Sequence, residues 1–587
     1  MLKRICLTVL FAILMAGCLT KVPPDAEGPA DSSGLHDRED LQVPPDLPEL
    51  PGLPETEFWK VIDTLHFIKY SGISGVSSAE KKAYAALISS IQGLMNRFEG
   101  NDAIFMKMSN DLDWSNELAE YSNALKSWGN DFRGMIAATL PKARTKYYVL
   151  MQDFGSTEDD DLMLSIATSY ASAHGAFILT ESLEKDTLFQ GYTCVADTRD
   201  KTMQDVYVML RDGFFNTDGV VSVNRSPNHN VDLAIRHQWA SIRSSDEEFT
   251  DRFFSLIDPL SVRISYNGPT TYEGLNVRAS SLRDLYVVAA GLCCNMSTHE
   301  RIPPPSSDLA VNTRSFPTDY ERKDVHHVMI LVSDGGNLDY FEGKFTNCYK
   351  SPHYGEFPVN FMMTPCLKRF KPIVQDWYMR HIAPNSSIIT SLSGAGDIFP
   401  SLMTSDDARE KYGRLTSELM KKEGQGITVI MDRNDIIQND WDKVLRYSAP
   451  VVRQIEGCRG VLFMGFAFWM DGAGAFIGDV PMVASRFGCG ARDGEIMDLP
   501  ENPKSQRNVA AQVKQLPKDA ESPESYSIIL FSANPPDDVE PKPDIMDDLA
   551  ILVKYLREDP GIEIVNAYQF FDLYRYHLKD KVKHYDE

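Results

Sequence analysis

Beyond residue 322, short apolar runs alternate with stretches whose apolar positions recur at helical spacing. Runs of four to eight residues rich in Val, Ile, Leu and Met read as buried strands, and the helical period reads as covering helices. The strand-like runs are Val328–Val332, Val359–Met363, Ser387–Thr390, Ile427–Met431, Gly460–Gly465, Pro481–Ala484, Ser527–Phe531 and Ile562–Val565. Helices are expected over Pro372–Ile382, Ala408–Lys422, Trp441–Glu456, Ile545–Arg557 and Tyr568–Leu578. Strands with interleaved helices predict an α/β fold, with a C-terminal β/α barrel-like (TIM-like) domain over 322–587. An open doubly wound sheet is the alternative.

The stretch 58–301 is more mixed. Ala83–Leu94 and Leu162–Ala173 have the helical period, and Tyr147–Met151 and Gly175–Leu179 read as strands. Val206–Leu210 and Val220–Val223 are shorter strand-like runs. Together they predict a smaller N-terminal α/β region. Residues 302–321, which include Pro303-Pro304-Pro305, form a Pro- and Ser-rich linker between the two regions.

The first residues have a different pattern. Lys3 and Arg4 precede an apolar run, Ile5–Ala16, too short to cross a bilayer. A basic start, a short apolar core and small residues mark a secretory signal over 1–17. The run ends Leu14-Met15-Ala16-Gly17-Cys18, which resembles the bacterial lipobox, so Cys18 is the expected lipid attachment site. A thioether lipid holds a protein at a membrane surface without spanning it, and predicts an exported cell-envelope protein. Residues 18–57 carry many prolines with Asp and Glu, a composition that predicts a disordered tether.

Composition narrows the partners. The formal charge of −24 argues against nucleic acid, whose phosphates need a basic surface. Of nine cysteines, Cys6 leaves with the signal and Cys18 takes the lipid. An odd number remains, among which Cys348 and Cys366 bracket a loop and are candidates for a bridge, though connectivity is not fixed by spacing. No Cys or His pattern has zinc spacing, so neither a metal nor a cofactor is expected. His326-His327 precedes a strand and reads as structural or surface.

In a parallel barrel the residues just past the carboxyl end of each strand share one mouth. Here those residues are Ser333-Asp334-Gly335-Gly336-Asn337, Gly394-Ala395-Gly396-Asp397, Asp432-Arg433, Phe468-Trp469-Met470-Asp471 and Ser485-Arg486. Such a rim is rich in carboxylates and aromatics. Glycosidic hydrolysis uses two carboxyl groups, and sugar faces stack on rings. The candidate catalytic residues are therefore Asp334, Asp397, Asp432 and Asp471. Asn337, Gly394, Gly396, Phe468, Trp469 and Arg486 are the candidate substrate-binding residues. Each of these aspartates also fits a plain turn or helix cap. There is no P-loop, nucleophile elbow or zinc-protease helix.

These motifs resemble a known family. Gly394-Ala395-Gly396-Asp397-Ile398-Phe399-Pro400 is similar to the signature of the GxGYxYP family, to which glycoside hydrolysis is attributed. Ser333-Asp334-Gly335-Gly336-Asn337 resembles that family's Ser-Asp-Gly-Asp-Asn segment. Ile91-Gln92-Gly93-Leu94-Met95-Asn96-Arg97 resembles its Leu-Gln-Gly-x-x-Asn-Arg, and Asn295-Met296-Ser297 its Asn-Leu-Ser. The likeness extends over 58–587 and implies an exported bacterial protein with an N-terminal α/β region and a barrel-like C-terminal domain. The chain departs from the pattern at Asp397 and Phe399, where the motif has tyrosines. It departs again at Gly336, where the segment has its second Asp, and at Ala289-Ala290-Gly291, where an acidic residue is usual. Asp397 is then expected to take over part of the lost charge. The resemblance implies an exported glycoside hydrolase. The lost acids leave a non-catalytic carbohydrate-binding lipoprotein as the alternative, and a metal-dependent deacetylase is weaker because no His directly follows a strand.

Overall fold

The computed structural model describes residues 62–70, 77–98, 101–107, 114–155, 157–223, 229–265, 273–291, 293–302, 316–466, 469–490, 503–533 and 545–585. The leader, Cys18, the tether and most of the linker lie outside them, as does Phe468.

The N-terminal region holds three small parallel sheets. The first pairs Ile62–Lys69 (β1) with Ala103–Lys107 (β2) and Ser122–Ser127 (β3), and the second pairs Tyr147–Met151 (β4) with Phe177–Thr180 (β5) and Thr193–Asp197 (β6). The third contains Gly219–Val221 (β7), Ala240–Ser241 (β8), Val262–Ile264 (β9) and Tyr286–Val288 (β10). The strand expected at Val206–Leu210 is instead part of helix Met203–Arg211. Thr202 and Asp205 form a reciprocal capping box there, which satisfies the first free backbone N–H groups and favours a helix over an extended run.

The two motif segments of this region meet each other. Gln92 and Asn96 lie on the long helix Ser78–Arg97, and Asn295, Ser297 and Thr298 come two hundred positions later. Gln92 Nε2 donates to Asn295 Oδ1 at 3.0 Å, and Asn96 Nδ2 donates to Ser297 Oγ at 2.8 Å. Asn295 also exchanges two hydrogen bonds with the Met106 backbone. Gly93 is required because a β-carbon there would come within 2.6 Å of Asp232 O. These residues are buried and bonded to one another, so their spacing is a packing requirement.

The C-terminal sheet is built from His326–Val332 (β11), Asn360–Met363 (β12), Ser387–Leu392 (β13), Ile427–Arg433 (β14), Gly460–Phe466 (β15), Gly474–Ile477 (β16), Val480–Ala484 (β17), Phe487–Cys489 (β18), Tyr526–Phe531 (β19), Ile562–Val565 (β20) and His584–Tyr585 (β21). All eight predicted runs are strands. Their order is β18-β19-β11-β12-β13-β14-β15-β17-β16-β21, with β20 also paired to β11. The expected closed barrel is not seen. Among the described residues the sheet curls into a half-barrel with free ends, because the far edge of β17 is occupied by antiparallel β16 rather than by β18 or β19. Continuous apolar runs such as Val328–Val332 are buried on both faces, as helix-covered parallel strands require.

The covering helices follow the predicted period. Helix Asp406–Lys422 has Ser405 accepting from Ala408 N, acids in its first turn and lysines in its last, complementing its dipole. His326 and His327 open β11 fully buried, and His326 is bonded to Pro517 O and Ser527 Oγ, both at 2.9 Å. None of the seven described cysteines is joined in a disulfide. Cys348 and Cys366 donate to different carbonyls, Lys344 O and Ala395 O, so the bridge considered between them does not form.

Candidate functional site

The carboxyl ends of β11 and β13 carry the two motif loops, and the N-terminal region lies directly against both. After β11, Gly335 passes so close to β12 that a β-carbon would fall 1.8 Å from Met362 O. Thr364 N donates to Gly335 O at 2.9 Å. This tight passage sets Asp334 in the left-handed region at φ +67°, a conformation Asp tolerates better than most residues. Asp334 is half-buried and accepts a hydrogen bond from Ser333 Oγ, which in turn accepts one from Ala533 N at 3.3 Å. Asn337 is 6% exposed, and Leu338 N donates to Ala289 O at 2.8 Å.

After β13 the glycine motif is buried. Gly394 has φ +101°, and a β-carbon would meet the Thr416 side chain at 2.5 Å. At Gly396 a β-carbon would come 2.6 Å from Val287 O, while Tyr412 Oη donates to Gly396 O at 2.8 Å and accepts from Gly396 N at 3.0 Å. Gly394 and Gly396 therefore seat the loop against helix Asp406–Lys422 and β10, and the ligand-facing role expected for them is replaced by packing.

Asp397 follows at once. Its backbone exchanges two hydrogen bonds with Val287, at 2.7 and 2.9 Å, and its side chain is turned inward with 3% of the residue exposed. Burial holds its carboxyl pKa well above the ordinary range, and the neighbouring charges of Glu273 and then Asp334 add to the rise. Its Oδ1 lies 3.1 Å from where a β-carbon on Gly336 would stand, and Ser391 Oγ lies 3.4 Å from the same point. The Ser391 hydroxyl is buried with no hydrogen-bond partner among the described residues. The space a side chain at 336 would take is thus closed by an acid and an unused hydroxyl.

The other predicted rim residues are placed differently. Asp432 is buried at the end of β14, where Ser401 Oγ and N donate to it at 2.6 and 3.0 Å and Arg433 N at 2.8 Å. Burial raises it to about 6 against those bonds, and all of them tie down its own loop. Asp471, at φ +50°, has a side chain 97% exposed and stands away from the buried acids. Arg486 is drawn toward backbone carbonyls, its guanidinium donating to Asp471 O at 3.2 Å and Glu524 O at 2.9 Å. Trp469 is 45% exposed, and its indole lies against Gly488, where a β-carbon would meet Cζ2 at 2.8 Å.

Two features were not singled out in the sequence. Glu273 opens helix Glu273–Ser281, where an acid reads as an ordinary partner of the helix dipole. Lys371, fully buried, pairs with Glu342 and donates to Cys294 O at 3.3 Å. Nearby His229 is held at about 4 and His299 well below its usual value, by burial first and the Lys371 charge second. Among the described residues no cluster of His, Cys, Asp or Glu has the makings of a metal site, and no helix is long and apolar enough to cross a membrane.

Comparison with known proteins places this geometry. Residues 324–575 match the model of the GxGYxYP putative glycoside hydrolase C-terminal domain. The crystal structure of a putative hydrolase from Bacteroides thetaiotaomicron VPI-5482 is 17% identical, with a TM-score of 0.74 over 89% of this chain and 97% of that one. At that identity the likeness establishes a shared fold, and it extends through the N-terminal region. A putative polysaccharide deacetylase from Mycobacterium smegmatis is 10% identical over 44% of this chain and 92% of its own, with a TM-score of 0.26. Comparison with curated proteins returns no match. Over residues 324–575, then, this chain is similar to the GxGYxYP putative glycoside hydrolase C-terminal domain.

Proposed function

We propose that this protein is a glycoside hydrolase acting on a polysaccharide or oligosaccharide, exported and tethered to the cell envelope through Cys18. The observation that carries the reading is a buried acid, Asp397, whose Oδ1 lies against Gly336, two residues from a second, half-buried carboxyl, Asp334, and whose pKa burial raises. Two acids in unlike environments are what glycosidic cleavage needs. Neutral Asp397 gives its proton to the glycosidic oxygen as the bond to the anomeric carbon breaks. Water adds to that carbon and its proton passes to the Asp334 carboxylate. The proton count closes, with one given and one taken, and exchange with solvent resets both groups. Trp469, 45% exposed, offers a surface for a sugar ring.

The test is release of reducing ends from a panel of polysaccharides by the purified protein, compared with Asp334→Ala. Release by the wild type and none by the variant supports the assignment, and unchanged release overturns it. For the anchor, radiolabelled palmitate is expected to label the expressed chain and not its Cys18→Ala variant. The deep burial of Asp397 favours one other reading, capture of carbohydrate without cleavage. It predicts saturable glycan binding with no product.

A further inference from the structure

A histidine of the N-terminal region is held between a donor and an acceptor. His66, within β1, is buried. Trp128 Nε1 donates to its Nδ1 at 3.1 Å, and its Nε2 lies 3.0 Å from Asp102 Oδ2. An indole N–H can only donate, so Nδ1 is bare and Nε2 carries the hydrogen that Asp102 accepts. The neutral ring therefore satisfies both neighbours. An imidazolium carries a hydrogen on each nitrogen, so it keeps the bond to Asp102 but sets N–H against N–H at Trp128.

Trp128 stands where it can hold a strand. The sheet order is β2-β1-β3, so β3 is an edge strand, and its residues after Ser122 are exposed. Burial thus does little to fix β3, and its attachment rests on bonds to β1. Directly after it, Trp128 N donates to Phe67 O at 2.9 Å and Lys69 N donates to Gly129 O at 3.3 Å. The indole fastens this same end through its side chain, and Lys126 Nζ lies 3.7 Å from the centroid of the Trp128 ring.

We infer that His66 is a proton-operated latch, whose neutral ring holds Trp128 and with it the end of β3, and whose protonated ring lets go. This goes beyond the hydrolase reading and does not depend on it. The groups facing His66 are Asp102 just before β2, Lys142 of the 3₁₀ turn Leu140–Ala143, which pairs with the same carboxylate, and Lys126, its register partner on β3. Arg301 Nη1 donates to Asp102 O at 2.8 Å and so anchors the acid through its backbone. Burial lowers the His66 pKa from its ordinary 6.5, Asp102 opposes that, and Lys142 and Lys126 add to the lowering. The latch is shut at neutral pH and opens on the acid side of 6.5. The unfolded chain takes the proton first, so the stability His66 contributes is whole above 6.5 and falls as pH drops below it.

The experiment follows the indole N–H signals of the full chain, labelled with 15N-tryptophan, from neutral pH to about pH 4.5. Among the seven tryptophans, Trp128 is the signal lost in Trp128→Phe. Its shift is expected to titrate with a midpoint below 6.5, and its exchange with solvent to rise about tenfold across that midpoint. In His66→Gln the signal is expected to stay flat. In Asp102→Asn the midpoint is expected to fall further, because the carboxylate that favours the imidazolium is gone. Protection of the β3 amides is expected to drop about tenfold on the acid side, while the β2 amides keep theirs. A flat Trp128 signal in the wild type, or one that still titrates in His66→Gln, overturns the latch. So does a midpoint unchanged or raised in Asp102→Asn, or an equal loss of protection in β2 and β3. Should His66→Gln fail to fold, Asp102→Asn and the wild-type exchange decide.

Discussion

The Asp397 carboxylate occupies the space that a side chain on Gly336 would enter, with Oδ1 3.1 Å from the position of its β-carbon. The two positions are coupled, because an acid at one requires its absence at the other. Gly336→Asp is expected to destabilise the protein at neutral pH by about 2 kcal/mol, through crowding and like charge. Gly336→Asp combined with Asp397→Asn is expected to recover most of that loss. Chemical denaturation of both variants and of Asp397→Asn alone gives the coupling energy, and strict additivity would show that the residues are independent.

Asp397 also predicts a pH effect on stability. Its folded pKa is raised, so the unfolded chain ionises first. The stability it contributes is whole below about 4 and is lost as pH rises toward its folded value. Asp397→Asn is therefore expected to raise the melting temperature more at pH 7 than at pH 4. An equal gain at both values would mean that the carboxyl keeps no proton.

His174 tests the opposite sign. Burial holds it at about 4, so the unfolded chain binds the extra proton between roughly pH 4 and 6.5, and stability falls as pH drops through that window. Its ring packs near Tyr170 and Phe214. His174→Phe is expected to flatten the dependence of unfolding free energy on pH there by up to about 3 kcal/mol. An unchanged slope would assign the effect to other buried histidines.

Gly396 is a packing position, and Gly396→Ala would drive a methyl group into Val287 O and Tyr286. The expected cost is about 1–3 kcal/mol in thermal or denaturant unfolding, with loosening of the contact between β10 and the loop after β13. Full retention of stability would restore the case for a ligand-facing role.

Trp469 sits on the surface and contributes little to the core. Trp469→Ala is expected to weaken binding of soluble oligosaccharides at least tenfold, measured by calorimetry, with the melting temperature nearly unchanged. Undiminished affinity would remove it from the carbohydrate surface.

Much of the C-terminal domain was written in the order of residues. The apolar runs that become β11 to β15, β17, β19 and β20 lie where their period puts them, and caps such as Ser405 and the Asn566–Gln569 pair fix helix starts. Local preference and burial agree there, so a linear pattern suffices. The motif loops were legible too, as positions where glycine and acid recur. Their partners were not. Asp334 and Asp397 acquire unlike environments only when β11 and β13 lie two strands apart with β10 set across their ends, and Asp432, Asp471 and Arg486 are drawn off by Ser401, solvent and backbone carbonyls. Closure of the sheet was decided the same way, because the hairpin of β16 on β17 occupies the edge a barrel would have needed. Sequence determined which segments are strand or helix through short-range sterics and burial period, and tertiary packing alone decided which acids share an enclosure, because ionisation depends on neighbours that the chain order does not name.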